Sequence, residues 1–212
     1  MAASCRPFVA VCLSWMGWVH DCRVSASLSV GSVQAAQTVA ESLLCCTGRR
    51  WRHVQGVAAA ADRLATKLGL GAEGEAVRVA AWLHDIGYAP SLVATGFHPV
   101  DGARFLRAQG TPELVVSLVA HHSGAAFEAE QRGLSDELAE FVAPPAALLD
   151  VVTYADLTTS PDGAAVTVAQ RLSEILARYA EDSAVHRAVV ESSPLLLAAA
   201  DRVEERLALS GA

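Results

Sequence analysis

The stretch EAVRVAAWLHDIGYAP, residues 75–90, decides the fold. From Ala76 to Leu83 only Arg78 is polar, and there is no strand-like alternation. Such a run predicts a short helix held centrally among other helices. It leads straight into His84 and Asp85, and Gly87 and Pro90 follow as the chain turns away. Aspartate is among the residues least often buried without a partner. Both side chains lose their water at the end of an apolar helix, and a divalent cation satisfies a neutral imidazole and a carboxylate together.

Helical patterning extends outward from this stretch. Val54, Val57, Ala61, Leu64, Ala65 and Leu68 form one stripe that stops at Gly69 and Gly71. HPVDGARFLRAQG (98–110) opens with Pro99 in a first turn and closes on Gly110. TPELVVSLVAHH (111–122) places Thr111 as a cap, Pro112 at the first position and Glu113 in the first turn. LDVVTYA (149–155) is β-branched enough for a strand, but no neighbouring strands with turn signals accompany it, so it is read as helix. Residues 132–145, with Gly133 and Pro144-Pro145, form the expected loop-rich insertion. The fold expected is an all-α helical bundle over residues 31–212, with a site core at about 50–160 and C-terminal helices over 164–209. Residues 1–30 are expected to be a disordered extension: their apolar run is shorter than the roughly 20 residues a membrane span needs, and Trp15, Trp18, His20 and Asp21 interrupt it.

Composition narrows the function classes. Of 212 residues, 52% are hydrophobic and 18% charged, so the chain is globular and large enough for a sizeable core. A net charge of −7 offers no broad basic face for a nucleic-acid polymer, though local positive charge still suffices for a small phosphorylated molecule. Cys5, Cys12, Cys22, Cys45 and Cys46 make no C-x-x-C pair, which points to reduced thiols and a cytoplasmic protein, with no membrane partner expected.

The histidines and aspartates fall at the ends of the expected helices. His53 lies near the start of one, beside Arg49, Arg50 and Arg52; His84 and Asp85 close the next. His98 precedes Pro99, His121 and His122 close a further helix, and Asp156 interrupts an apolar one. Facing helices that project histidine and carboxylate inward are how bundles build metal sites. His20 and His186 have no such company.

The order His53, His84-Asp85, Asp156, with HDIG at 84–87, resembles the H…HD…D signature of the HD-domain metal-dependent phosphohydrolase superfamily over residues 35–160. The resemblance implies that these four residues bind one metal. GFHPVDGARFL and VAHHSG are similar to segments of its dinuclear branch, implying that His98 and His121 (or His122) bind a second metal, with Asp85 bridging both. Adjacent residues on a helix point about 100° apart, so the pattern alone leaves that last choice open. A charged residue that often follows the HD pair in relatives is replaced here by Tyr88, and the GYP signature of cyclic-dinucleotide phosphodiesterases is absent.

A His/Asp set suits one or two ions of Mn, Fe, Co, Ni or Zn. Such ions lower the pKa of a shared water and neutralise phosphoryl oxygens. The activity that the resemblance implies is hydrolysis of a nucleotide or another small phosphorylated metabolite. Asp85 is placed at the catalytic centre, and His122, if it is not a ligand, protonates the leaving oxygen. Arg49, Arg52, Arg132 and Tyr88 are the candidate substrate contacts, with Arg50 in the same cluster. Thr158 and Thr159 are weighed as substrate contacts against simply ending a helix. The alternatives are a mixed-valent diiron oxygenase on the same ligands and a non-catalytic HD signalling module.

Overall fold

The computed structural model describes residues 30–211, so the expected N-terminal extension lies outside it but for Val30, which is buried. Among the described residues the chain is helical almost throughout, and the only β pairing is an isolated bridge between Thr159 and Ala165. α1 (Val33–Leu44) begins where the Ser32 side chain accepts from the Ala35 amide, and buries Ala36, Ala40 and Leu44 at four-residue intervals. α2 (Arg49–Lys67) carries the expected stripe and adds His53 to its buried face. α3 (Gly71–Leu83) packs against both, and against α5 (Glu113–His121) and α8 (Ala146–Leu157), the central place its composition predicts.

α4 (His98–Ala108) and α5 form an antiparallel pair beside α3. Their junction corrects one expectation. Thr111 does not cap α5: its hydroxyl is buried without a hydrogen-bond partner, and its amide instead donates to the Leu106 carbonyl at 3.1 Å, closing α4. The segment read as loop-rich contains the end of α6 (Ala125–Arg132) and a single turn, α7 (Ser135–Leu138), before the Pro144-Pro145 pair releases the chain into α8. α8 is the helix its apolar run predicts, buried on most sides, because it lies between α2, α3 and α10. α9 (Val168–Arg178) opens with a capping box between Thr167 and Gln170. α10 (Ala184–Ser210) packs on α6, α8 and α9 and closes the bundle. No described helix is long and apolar enough to cross a membrane.

The main core is built from small and β-branched side chains of α1 to α5 and α8, with Phe97 the largest fully buried residue. Close helix approach demands small residues where backbones cross. The sharpest case is Gly87, in a 3-10 turn over Ile86–Tyr88 that abuts the start of α4. A Cβ on Gly87 would lie 2.0 Å from the His98 carbonyl oxygen and 2.8 Å from the Gly102 amide. Both neighbours are backbone, so no rotamer change relieves the clash. Gly87 therefore sets the distance between the His84-Asp85 corner and His98. Gly87→Ala is expected to destabilise the protein by at least about 3 kcal/mol, read as a lowered midpoint in urea unfolding.

Candidate metal centre

Five helix ends meet at a single buried point. His53 comes from the first turns of α2; His84 and Asp85 follow the last turn of α3; His98 begins α4; His122 follows α5; Asp156 lies in the last turn of α8. Their ligand atoms form two groups. His53, His84 and Asp156 can hold one ion, and Asp85, His98 and His122 another. Asp85 joins the two. Its Oδ2 lies 3.4 Å from His84 Nε2 and 3.9 Å from His53 Nε2, while its Oδ1 lies 3.4 Å from His98 Nε2. His53 Nε2 is 2.9 Å from Asp156 Oδ1.

The outer ring nitrogens are held by the backbone. His84 Nδ1 donates to the Ala81 carbonyl at 2.8 Å, His122 Nδ1 to Val119 at 2.7 Å, and His53 Nδ1 to Ser160 at 3.1 Å. A carbonyl only accepts, so Nδ1 carries the proton and a neutral ring turns the Nε2 lone pair inward. His84 Nε2 is buried with no hydrogen-bond partner, and the Nε2 atoms of His98 and His122 face each other at 3.2 Å. A buried ring nitrogen with no hydrogen-bond partner is costly, and once its proton is displaced the lone pair is what a metal cation satisfies. The donor set, its tautomers and its orphaned atom all fit divalent transition ions.

Charge around Asp85 is distributed accordingly. Burial alone would raise the Asp85 carboxyl's pKa, but His84 and Arg50 outweigh it and hold the group well below the carboxylate range. Burial also opposes the His84 imidazolium, yet Asp85 and then Asp156 overcome this and raise its pKa. His98 and His122 are driven the other way, each chiefly by burial. Asp156 is lowered too: its own burial is outweighed by the His53 hydrogen bond and charge, and its other oxygen accepts from the Ser123 hydroxyl.

Several predicted residues are placed elsewhere. His121 turns away from the centre, and its Nε2 donates to the Phe141 carbonyl at 3.0 Å. The reason is local: α5 stops at His121, His122 is extended (ψ 153°) and Ser123 is left-handed (φ 50°), which swings His122 inward. Burial and the neighbouring His84 favour a neutral His122, which suits a ligand and not the proton donor considered above. Arg49 and Arg52 both pair with Asp162, at 3.1 and 2.7 Å. Their neighbour Arg50 reaches the centre instead: its Nη1 donates to Asp85 Oδ2 at 2.6 Å while the guanidinium lies 3.8 Å from the Tyr88 ring centroid. Tyr88 in turn stacks on His98 at 4.0 Å. Arg132 pairs with Glu128 at 2.7 Å, and Glu128, not Arg132, lines the cavity over the metal groups. Thr158 and Thr159 bond back to carbonyls of α8, which ends at Leu157, so they close that helix. Ser123, which braces Asp156, was not foreseen; only its place beside the histidine pair could have marked it.

Comparison with known proteins agrees with this geometry. The HD domain family model matches residues 50–159, just over half the chain and the span holding all six inward-facing residues. The chain belongs to the HD-domain family. This family consists in general of metal-dependent phosphohydrolases. No curated protein and no solved structure matches the chain.

Two measurements test the centre. Asp85→Asn is expected to weaken binding of every ion, and His122→Ala to remove one metal equivalent from a two-metal protein. His121→Ala should leave metal content unchanged. Elemental analysis after dialysis reads all three, and loss of metal with His121→Ala instead of His122→Ala would reverse the assignment. The second is a pH dependence. Binding at His84 Nε2 displaces a proton whose pKa is raised above the ordinary histidine value, whereas His98 and His122 are already neutral there. Metal affinity should therefore fall as pH drops through the neutral range, by about tenfold per unit for one proton, measured by competition with a chromophoric chelator. A slope of two or more protons would contradict the opposed shifts.

Proposed function

We propose that the protein is a metal-dependent phosphohydrolase acting on a small phosphorylated metabolite. The observation that carries this reading is Arg50, a guanidinium fixed 2.6 Å from the carboxylate that joins the two His/Asp groups. When bound, divalent ions there supply Lewis acidity, lowering the pKa of a water and neutralising phosphoryl oxygens. The protein's own residues do the rest. Asp85 turns one oxygen toward each group of histidines and so sets their spacing. Arg50 spends one N–H on Asp85, which leaves donors for phosphoryl oxygens in the fork geometry that guanidinium offers. Tyr88, stacked between Arg50 and His98, keeps both at the mouth of the site. Partial desolvation of the Tyr88 ring, packed between Arg50 and His98, and the Asp85 charge raise its phenol's pKa, so it stays neutral and can donate a hydrogen bond to an anionic substrate.

The size of the site favours a metabolite over a polymer. The cavity directly over the centre is about 100 Å³ and is closed on one side by Ile175 and Val189 of the C-terminal helices. A cytoplasmic location is the compartment in which such substrates are met.

The test is phosphate release. Metal-free protein reloaded in turn with Mn, Co, Ni, Mg and Fe(II) is assayed against nucleotides, dinucleoside polyphosphates and sugar phosphates. At least one metal and substrate pair should release phosphate about a hundredfold faster than metal-free protein, and Asp85→Asn should lose that gain. Dioxygen consumption by the Fe(II) form, with no phosphate released under any metal, would overturn the reading in favour of an oxygenase on the same ligands.

A further inference from the structure

Beside the metal centre lies a second cavity of about 370 Å³; Arg50, His53 and Tyr88 line both cavities, and so do Arg171 and Arg178, which stand where the two meet. Its walls hold four guanidiniums, those of Arg49, Arg50, Arg171 and Arg178, and among the described residues that line it none is acidic. In a chain of net charge −7 this is a marked local reversal. Arg171 and Arg178 come from α9, beyond the residues matched by the family model.

The balance of charge around this cavity is incomplete. Arg49 and Arg52 share the single carboxylate of Asp162. Arg171 and Arg178 share that of Glu174, whose Oε2 accepts from Arg171 and Oε1 from Arg178. Arg50 is answered by Asp85, so of the five arginines in and beside the cavity the other four, Arg52 included, share two carboxylates. Arg171 is 7% exposed and its Nε, buried, has no hydrogen-bond partner. An unmet donor on a buried guanidinium is costly, and the same side chain lines the cavity where an anion would supply an acceptor. Spacing of three and four residues along α9 lets Glu174 hold both arginines in place.

We infer that Arg171 and Arg178, with Arg49, form an anion subsite for a second phosphoryl group of the substrate. The substrate class is then a molecule with two phosphoryl groups, one at the metal centre beside Arg50 and the other against α9. This rests on the phosphohydrolase reading for the chemistry at the centre, and not for the existence of the subsite. The same chemistry would also hold free orthophosphate, and the two sources separate by experiment.

The full-length protein, loaded with Mn(II), is titrated calorimetrically with methylenebisphosphonate and with methylphosphonate, neither of which it can hydrolyse at a P–O–P or ester bond. Arg178→Gln, at an exposed position, should weaken bisphosphonate binding by about tenfold or more, the loss of a charge-assisted hydrogen bond. It should change methylphosphonate binding less than about twofold. Arg171→Gln should behave alike, and Arg104→Gln, whose partner Glu140 is on the surface, should change neither. Equal losses for both ligands, or no loss, would overturn the subsite. Wild-type protein binding methylphosphonate as tightly as the bisphosphonate would also overturn it, in favour of a free-phosphate site. Selective loss in Arg178→Gln, combined with no phosphate release under any metal, would leave the subsite standing and remove the hydrolase reading.

Discussion

A carboxylate with almost no access to water, Asp85, is the constraint around which the rest of the molecule is arranged. Left alone it would be protonated or would unfold its surroundings. It stays ionised because Arg50 donates to one oxygen and three imidazoles crowd the pair of them. Each compensating group must arrive from a different helix, and this sets the order of packing. α3 has to be central so that its end reaches the middle of the bundle. α2 must start close by, to bring Arg50 and His53, and α4 must begin within contact of the Gly87 turn to bring His98. The small residues of the core follow from that demand, since helices that deliver six polar side chains to one point must approach closely elsewhere.

Much of this was legible because apolar runs betray themselves. An almost unbroken hydrophobic helix ending in His84-Asp85 allows few interpretations, and Pro99 and the Gly69 and Gly110 stops bounded its neighbours correctly. The choice between His121 and His122 was not legible. It turns on where α5 ends and on Ser123 adopting a left-handed backbone, a conformation the Ser-Gly pair permits and does not announce. Thr111 misled for a related reason: threonine before proline reads as a cap, but its amide was claimed by the preceding helix.

The arginines show a different limit. Arg49, Arg50 and Arg52 fall within one turn, and nothing local separates them. What separates them is Asp162, more than a hundred residues away, which a tight turn at Gly163 carries against the start of α2, where it takes two of the three. Arg171, Glu174 and Arg178 look like an ordinary solvated helix face with supporting ion pairs. Only the packing of α9 onto α8 and α10 buries Arg171 and turns that face toward the site. Burial created by distant elements is invisible to patterns read along the chain.

The carbonyls that hold the imidazoles have a consequence for how this protein can change over evolutionary time. Ala81, Val119 and Ser160 contribute only main-chain oxygen to His84, His122 and His53. Two of these oxygens lie three residues before their histidine, among the acceptors that a helix end leaves unspent. No side chain is needed to orient those ligands, so no single substitution outside the ligands themselves can delete that support. That support is thereby insensitive to which side chains stand at positions 81, 119 and 160, whereas the arginine cavity is made by side chains, those of α9 among them. Such a division separates what orients the inward-facing histidines, which is backbone, from what shapes the cavity beside them, which is side chain.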